Sequence, residues 1–420
     1  MSVRRRLGSS AGLLAACTAL LLALMPLAAP AAQAKAPGAV ITTALTVRGN
    51  GYGHGHGMSQ WGAEGAARKG LNYRQIVGFY YPGTAWGSAT GKVRVLITAD
   101  TSRSVVVLAR AGLLARRVGH ARTWKLAHRQ PRATRWRIVP VSGGRSKVQY
   151  KLKSWHKLAT VSGDLEFTAG GAPISLVLPG HRTVAYRGVL RAASPHAGGM
   201  DRDTVNILPL DSYLKGVVPR EMPALWHTAA VEAQAIAART YAAFERTGQH
   251  GYYQICDTSA CQVYGGYSGE NPASNAAVEA TAGQILTYGG QPAFTQFSAS
   301  NGGASLAGGQ PYLISQTDQY DAAVSPYRGW TTTVTPASIQ ARWPKIGHLT
   351  GLKVTPSTAN APGAGYVATV TITGTGGSVS VSGDAFRSFA GLRSTWFSIT
   401  LPGGTTTPSP STTGSTTPGT

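Results

Sequence analysis

The sequence predicts an α+β protein. Short β-branched segments separated by turns crowd the stretch from Lys92 to Ala193, and an alanine-rich helical stretch follows it. Strands and helices do not alternate as a doubly wound sheet requires.

The elements before that stretch come first. Arg4, Arg5 and Arg6 precede an apolar run from Leu13 to Ala29, and "AQA" ending at Ala34 fits a small-residue cleavage site. Residues 1–34 are therefore expected to be a signal peptide, and the mature protein to be secreted or held at the cell wall. "LAAC" ending at Cys17 imitates a lipoprotein box, but the apolar run continues past the cysteine, which favours cleavage near Ala34. No later segment is apolar for the length a membrane span needs.

Residues 35–91 contain "RGNGYGHGHGMSQWGAEGAARKG", Arg48 to Gly70. Gly49–Gly57 reads as a loop whose glycines permit positive φ and the close approach of another backbone or a ligand. Ser59 suits an N-cap, Gln60–Lys69 a helix, and Gly70 the position past its end. Nucleotide-binding glycine loops need a preceding buried strand and either a P-loop lysine or a ribose-binding acid, and neither spacing is present. His54 and His56 face one side of an extended segment. Three roles fit them: hydrogen bonds within a tight loop, substrate contact, or metal ligation, the last without a third ligand nearby.

Residues 92–200 form a basic β-rich region. "KVRVLITAD", "SVVVLARAG", "RWRIVPV", "KVQYKLK" and "HRTVAYRGVLRA" read as its strands. The formal net charge of +23 is concentrated here, because Lys92–Arg191 holds 20 Lys and Arg against Asp100, Asp164 and Glu166. Such a surface seeks a polyanion, or serves only solubility. For an exported protein the available polyanions are wall polymers and lipid headgroups, with nucleic acid the less expected partner.

Residues 201–400 form the remaining folded region. Ala230, Ala233, Ala237, Tyr241 and Phe244 step by three or four and mark one face of a helix over Thr228–Phe244. A second helix is expected over Pro272–Ala282. "GQILTYGGQPAFTQFSAS" reads as a hairpin turning at Gly289 and Gly290, and "YVATVTITGTGGSVSVSG" as another. Residues 401–420, almost entirely Pro, Gly, Ser and Thr, are expected to be a disordered tail. Residues 35–400 suffice for two domains or one elaborated one.

With sixteen acidic residues in the chain, an acid/base catalyst is sought by elimination. Glu64, Glu232, Glu245 and Glu279 fall within predicted helices and read as solvated. Glu221 differs: in "GVVPREMPALW" it sits between Pro219 and Pro223, among Val217, Val218, Met222, Leu225 and Trp226, just before a long helix. Apolar neighbours disfavour a carboxylate and suit the group to proton donation, whereas Arg220 pulls the other way. A first-turn acid favoured by the helix dipole fits equally.

"YLKGVVPREMPALW", "AAVEAQAIAARTYA", "CDTSACQVYGG", "FSASNGG" and "GHGHGMSQWGA" together resemble the SpoIID/LytB family of exported bacterial cell-wall proteins, from about Thr46 to Phe397. SpoIID-type members are lytic transglycosylases that cut glycan strands stripped of stem peptides; LytB-type members are described as modifiers of an amidase. The resemblance implies Glu221 as the single acid/base. It would protonate the glycosidic oxygen between N-acetylmuramic acid and N-acetylglucosamine, then take the proton of the muramic 6-hydroxyl as a 1,6-anhydro ring closes. Asp211 is the nearest second acid and has no implied role. The resemblance also implies a glycan cleft lined by His54, His56, Ser59 and Gln60, faced by Ser298, Ser300, Asn301, Gly302 and Gly303. The expected partners are peptidoglycan glycan strands, anionic wall polymers bound through Lys92–Arg191, and an amidase.

Two departures from the family pattern bear on these expectations. In many relatives the glycine-histidine segment follows the "FRSFAGLRSTWF" segment, so this chain looks circularly permuted. The Thr46–Pro82 segment should then pack against Arg387–Ile399, with the Ser59–Lys69 helix covering the sheet that carries "RSTWFSI" and the His54–Gln60 loop pointing toward Glu221. His250, Cys256 and Cys261 match zinc ligands of some members, but Ala260 stands where the fourth ligand would be, and three ligands make a poor structural zinc site. A Cys256–Cys261 disulfide is the stronger reading for an oxidising compartment, and no cofactor is expected.

Overall fold

The computed structural model describes residues 39–248 and 251–402, all within one compact unit. The expected signal peptide, the tail beyond Pro402 and His250 lie outside the described residues. The architecture is α+β. Among the described residues no helix is long and apolar enough to cross a membrane.

Two antiparallel sheets fill the basic stretch. One runs, in spatial order, Trp155–Ser162, Arg145–Lys151, Arg135–Val141, Val105–Leu108, Ile174–Val177, Thr183–Tyr186. The other runs Ile255–Cys256, Lys92–Leu96, Asp203–Pro209, Val189–Ala193, Leu165–Thr168, Leu114–Arg117, Thr123–Lys125, and only its Ile255–Cys256 edge pairs parallel. Alternating β-branched and aromatic side chains explain both sheets. Val93, Val95, Val105, Val107, Trp136, Ile138, Val148 and Phe167 all turn into one shared core, leaving the intervening cations outside. The second sheet crosses position 200, since Asp203–Pro209 pairs with both Lys92–Leu96 and Val189–Ala193. It thereby hands the chain directly to the Leu210–Glu221 helix.

The Thr228–Glu245 helix follows. Its apolar surface is not the single face expected from the alanine spacing: Val231, Ala235, Ile236, Ala238 and Ala242 are buried as well. Helices Gln60–Arg68, Tyr73–Tyr80, Leu210–Glu221 and Pro272–Ala280 surround it, so small residues are needed all round. Arg239, fully buried on this helix, is satisfied by Asp211 Oδ1 at 2.7 Å, Val278 O at 3.0 Å and Gln284 O at 3.2 Å. The Gln284–Tyr288 and Gln291–Pro292 strands form the expected hairpin, with Gly289 and Gly290 at φ 58° and 76°. Val367–Gly374 and Gly377–Ser382 form the second hairpin.

Leu45–Gly49 lies between Trp330–Val334 and Phe397–Thr400, antiparallel to both, with Val47 opposite Ile399 and Gly49 opposite Phe397. Asn50 N donates to Trp396 O at 3.0 Å and Gly53 N to Arg393 O at 2.9 Å. The N-terminal segment thus joins the C-terminal one through a strand and loop, not through the helix as expected. The Gln60–Arg68 helix packs instead on Thr228–Glu245 and Gln319–Val324; Trp61 packs against Trp226 with the two ring planes tilted by 59°, and Tyr80 donates to Asp318.

Candidate active site

Glu221 is the last residue of the Leu210–Glu221 helix, not a first-turn acid of the next one. Pro219 lies in the final turn and Pro223 just past the end, so the prolines close a helix. At that end the helix dipole opposes a negative charge. Val217, Val218 and Met222 are buried beneath the turn, whereas Leu225 points to solvent at 86% exposure, contrary to its expected place around the acid. Glu221 Oε1 accepts from Val263 N at 2.7 Å. Burial pushes the carboxyl above its ordinary range, and hydrogen bonds from the Val263 backbone and the Gln60 side chain limit the rise. Asp211 cannot share this site: ten residues away on the same helix is about 15 Å, and it is spent on Arg239.

Glu221 opens into a cleft of about 610 Å³ whose lining includes His54, Gln60 and Ser298. Three expected contact residues thus meet the acid. Tyr52, Tyr241, Ser259, Gln296 and Arg387 line the same space and were not foreseen. Among the lining residues Glu221 is the only carboxylic acid. Ser298 Oγ is buried and has no hydrogen-bond partner among the described residues. One wall is the Cys256–Cys261 loop, closed by a disulfide, which contributes Ser259, Ala260 and Cys261. With both sulfurs in that bond neither is a thiolate ligand. No group of three potential metal ligands occurs among the described residues.

The glycine-histidine loop is shaped by its own protein. Gly51, Gly53, Gly55 and Gly57 all have positive φ, and Tyr52 bridges Ser300 while Met58–Ser59 pairs with Phe297–Ser298. A Cβ on Gly55 would lie 2.1 Å from Tyr366 Oη. The bare backbone therefore meets neighbouring segments of the same protein. The rings of His54 and His56 stack with centroids 5.2 Å apart. His54 Nδ1 accepts from His56 N at 3.0 Å, and His56 Nδ1 lies 3.0 Å from Leu306 O. Burial, reinforced by His56, lowers the His54 pKa to about 4, so His54 is neutral at neutral pH.

The remaining expected contact residues turn inward. Ser59 caps its helix by accepting from Gly62 N at 2.9 Å and donates to Asp321 Oδ2 at 2.6 Å. Ser300 donates to Asp321 Oδ1 at 3.1 Å, and Asn301 to Asp318 Oδ2 at 2.7 Å. Ser59, Ser300 and Asn301 are at most 1% exposed, and Gly302 and Gly303 supply left-handed turns around Asn301. This core is organised by two acids that sequence reasoning passed over. Asp318, the N-cap of Gln319–Val324, and Asp321 three residues on are both fully buried, and burial, then mutual repulsion, raises Asp321 to about 6. The "TDQYD" spacing of a capping acid and a first-turn acid was the available signal. Glu64 also departs from its expected solvated place: it is 1% exposed and receives Arg68 Nε, His227 Nδ1 and His227 N at 2.9, 2.9 and 3.0 Å, fastening the Gln60–Arg68 helix to the start of Thr228–Glu245.

Residues 199–288, which carry Glu221, the disulfide loop and the central helix, match the family described as "Stage II sporulation protein" (SpoIID). The chain therefore carries a SpoIID domain, which supports its resemblance to the SpoIID/LytB family. SpoIID similarity extends to individual proteins. The chain is 42% identical over 135 residues to the "Amidase enhancer" of Bacillus subtilis (strain 168), covering 31% of this chain and 18% of the relative. It is 34% identical over 232 residues to "Stage II sporulation protein D" of Bacillus amyloliquefaciens, covering 49% and 64%. The Bacillus subtilis protein of that name is 32% identical over 161 residues, covering 33% and 47%. The chain thus spans from under a fifth to just under two thirds of these relatives' lengths.

Proposed function

We propose that this is a cell-wall protein that cleaves peptidoglycan glycan strands as a lytic transglycosylase, with Glu221 as its only acid/base. The observation that carries the reading is a lone, charge-disfavoured carboxyl group opening into a polar cleft. Held by Val263 N–H on one oxygen, Glu221 is poised to give its proton to the glycosidic oxygen as the bond to the anomeric carbon breaks. The carboxylate left behind removes the proton of the muramic 6-hydroxyl, whose oxygen bonds the anomeric carbon. Water is not consumed and the catalyst is restored. A hydrolase working by two carboxyl groups would need a second acid across the cleft, and none lines it. His54, Gln60, Ser298 and Arg387 are read as substrate contacts. The pairing of Leu45–Gly49 with Phe397–Thr400 supports a permuted order for the glycine-histidine loop. Mass analysis of digested peptide-free glycan tests the reading. The expected products carry 1,6-anhydro ends, one water lighter than hydrolysed ends.

A second reading is favoured by the similarity to a protein named amidase enhancer: the chain grips wall polymer and modulates an amidase without cutting. Addition to an amidase assay on whole wall, with and without Glu221→Gln, separates the two. Enhancement unaffected by the substitution supports the second.

A further inference from the structure

The fold sorts the cations of the basic stretch. Arg116 and Arg191 both hold Glu166, and Arg187 holds Glu270, so these charges are neutralised within the protein. The outer face of the six-stranded sheet is different. Arg135 lies opposite Lys151, Arg137 opposite Gln149 and Val139 opposite Lys147; on the next strand Trp155 lies opposite Lys151 and Lys157 opposite Gln149. Directly opposed residues share a face. Arg135, Arg137, Lys147, Lys151 and Lys157 therefore project together, while the alternating Trp136, Ile138 and Val148 enter the core. None of these five cations forms an ion pair among the described residues. Arg137 donates to neutral Gln149 at 2.9 Å and sits 4.2 Å from the Trp155 ring centroid, with Lys151 5.9 Å from the same ring.

We propose that this face binds a linear phosphodiester polymer of the wall. It rests on the reading that the protein works at the wall, but not on Glu221. Strands about 4.8 Å apart, with same-face residues about 7 Å apart along each, array single positive charges at intervals suited to a chain bearing one phosphate per short repeat. Nucleic acid fits less well, because single-stranded binders add aromatic platforms on which bases stack. Trp155 is the aromatic on this face, and Arg137 already occupies its ring.

The test measures binding of synthetic poly(glycerol phosphate) to the full chain across a salt series. Lys147→Gln/Lys151→Gln/Lys157→Gln is compared with Arg129→Gln/Arg132→Gln/Lys353→Gln, which removes the same charge from exposed positions elsewhere. Each lost phosphate contact lowers the slope of log affinity against log salt by about 0.7, so the face variant should lose about two units of slope and bind at least about tenfold more weakly. The control variant should stay near wild type. Lys157→Gln alone, at an exposed position, should lose about 0.7 of slope, and it carries the test if the triple variant does not fold. Equal weakening of the face and control variants overturns the proposal in favour of diffuse charge. Tighter binding of single-stranded DNA, with the same dependence on the face, overturns the assignment of the partner.

Discussion

Gly55→Ala is expected to be among the most damaging single-methyl additions in this protein. Gly55 has φ +80°, and an added Cβ would lie 2.1 Å from Tyr366 Oη, 2.4 Å from Cζ and 2.6 Å from Cε1. Tyr366 cannot retreat cheaply: it is 1% exposed, and its hydroxyl donates to Asn301 O at 2.8 Å and Ala304 O at 3.1 Å. The left-handed backbone costs about 1–2 kcal/mol for alanine, overpacking about 1–3, and hydrogen bonds lost at a buried hydroxyl about 1–3. The total is on the order of 3–8 kcal/mol. Gly70→Ala is the matched comparison, since Gly70 has φ +86° with no atom within 4 Å of the added carbon. It should cost only the backbone part, about 1–2 kcal/mol. Urea unfolding of both variants isolates the steric part, and glycan cleavage should fall with Gly55→Ala because the loop carrying His54 moves. Equal losses of stability would refute the claim that close packing against Tyr366 fixes the glycine.

Glu64→Ala should destabilise by about 1–3 kcal/mol, because it orphans the His227 N–H at a helix start, while the Arg68 and His227 side chains stay half exposed and can rehydrate; chemical unfolding checks this. Asp321 titrates near 6 in the folded protein against an ordinary value near 3.8. A carboxyl whose folded pKa is raised binds its proton more tightly when native, so its contribution is fully present below about pH 4 and is lost as the pH climbs through about 6. Asp321→Asn should flatten the decline in melting temperature across that window. Cys256→Ser/Cys261→Ser should cost about 2 kcal/mol from the short closed loop and reduce glycan cleavage further, because that loop is a cleft wall; thermal unfolding and a turnover assay read the two effects separately.

The strands were legible because β-branched alternation and glycine turns are local signals, and the register of Arg135–Val141 with Arg145–Lys151 follows from a turn at Gly143 and Gly144. Glu221 was legible by elimination, but its place was not. Two prolines around an acid read as the approach to a helix, whereas here they finish one, and only the fold reveals that the preceding strand feeds a helix ending at the acid. Glu64 looked solvated because its principal partner, His227, is 163 residues away. Ser59, Ser300 and Asn301 carried the right chemistry for sugar contact. What consumes them is a pair of buried acids beyond residue 317; the spacing of Asp318 and Asp321 signals a helix start, but not that the two are buried against this loop. Arg387 and Tyr241 enter the cleft through tertiary packing alone.

The most direct test of the account compares wild type and Glu221→Gln on peptide-free glycan strands, with binding and product masses measured together. The amide preserves the shape, can still accept the Val263 hydrogen bond and cannot donate a proton in catalysis. Binding and melting temperature should remain near wild type, while formation of 1,6-anhydro ends falls by about 10²–10⁴-fold. The wild-type rate should decline as rising pH removes the proton that burial retains above the ordinary carboxyl range. Wild-type rates of anhydro-end formation by Glu221→Gln would contradict the central claim.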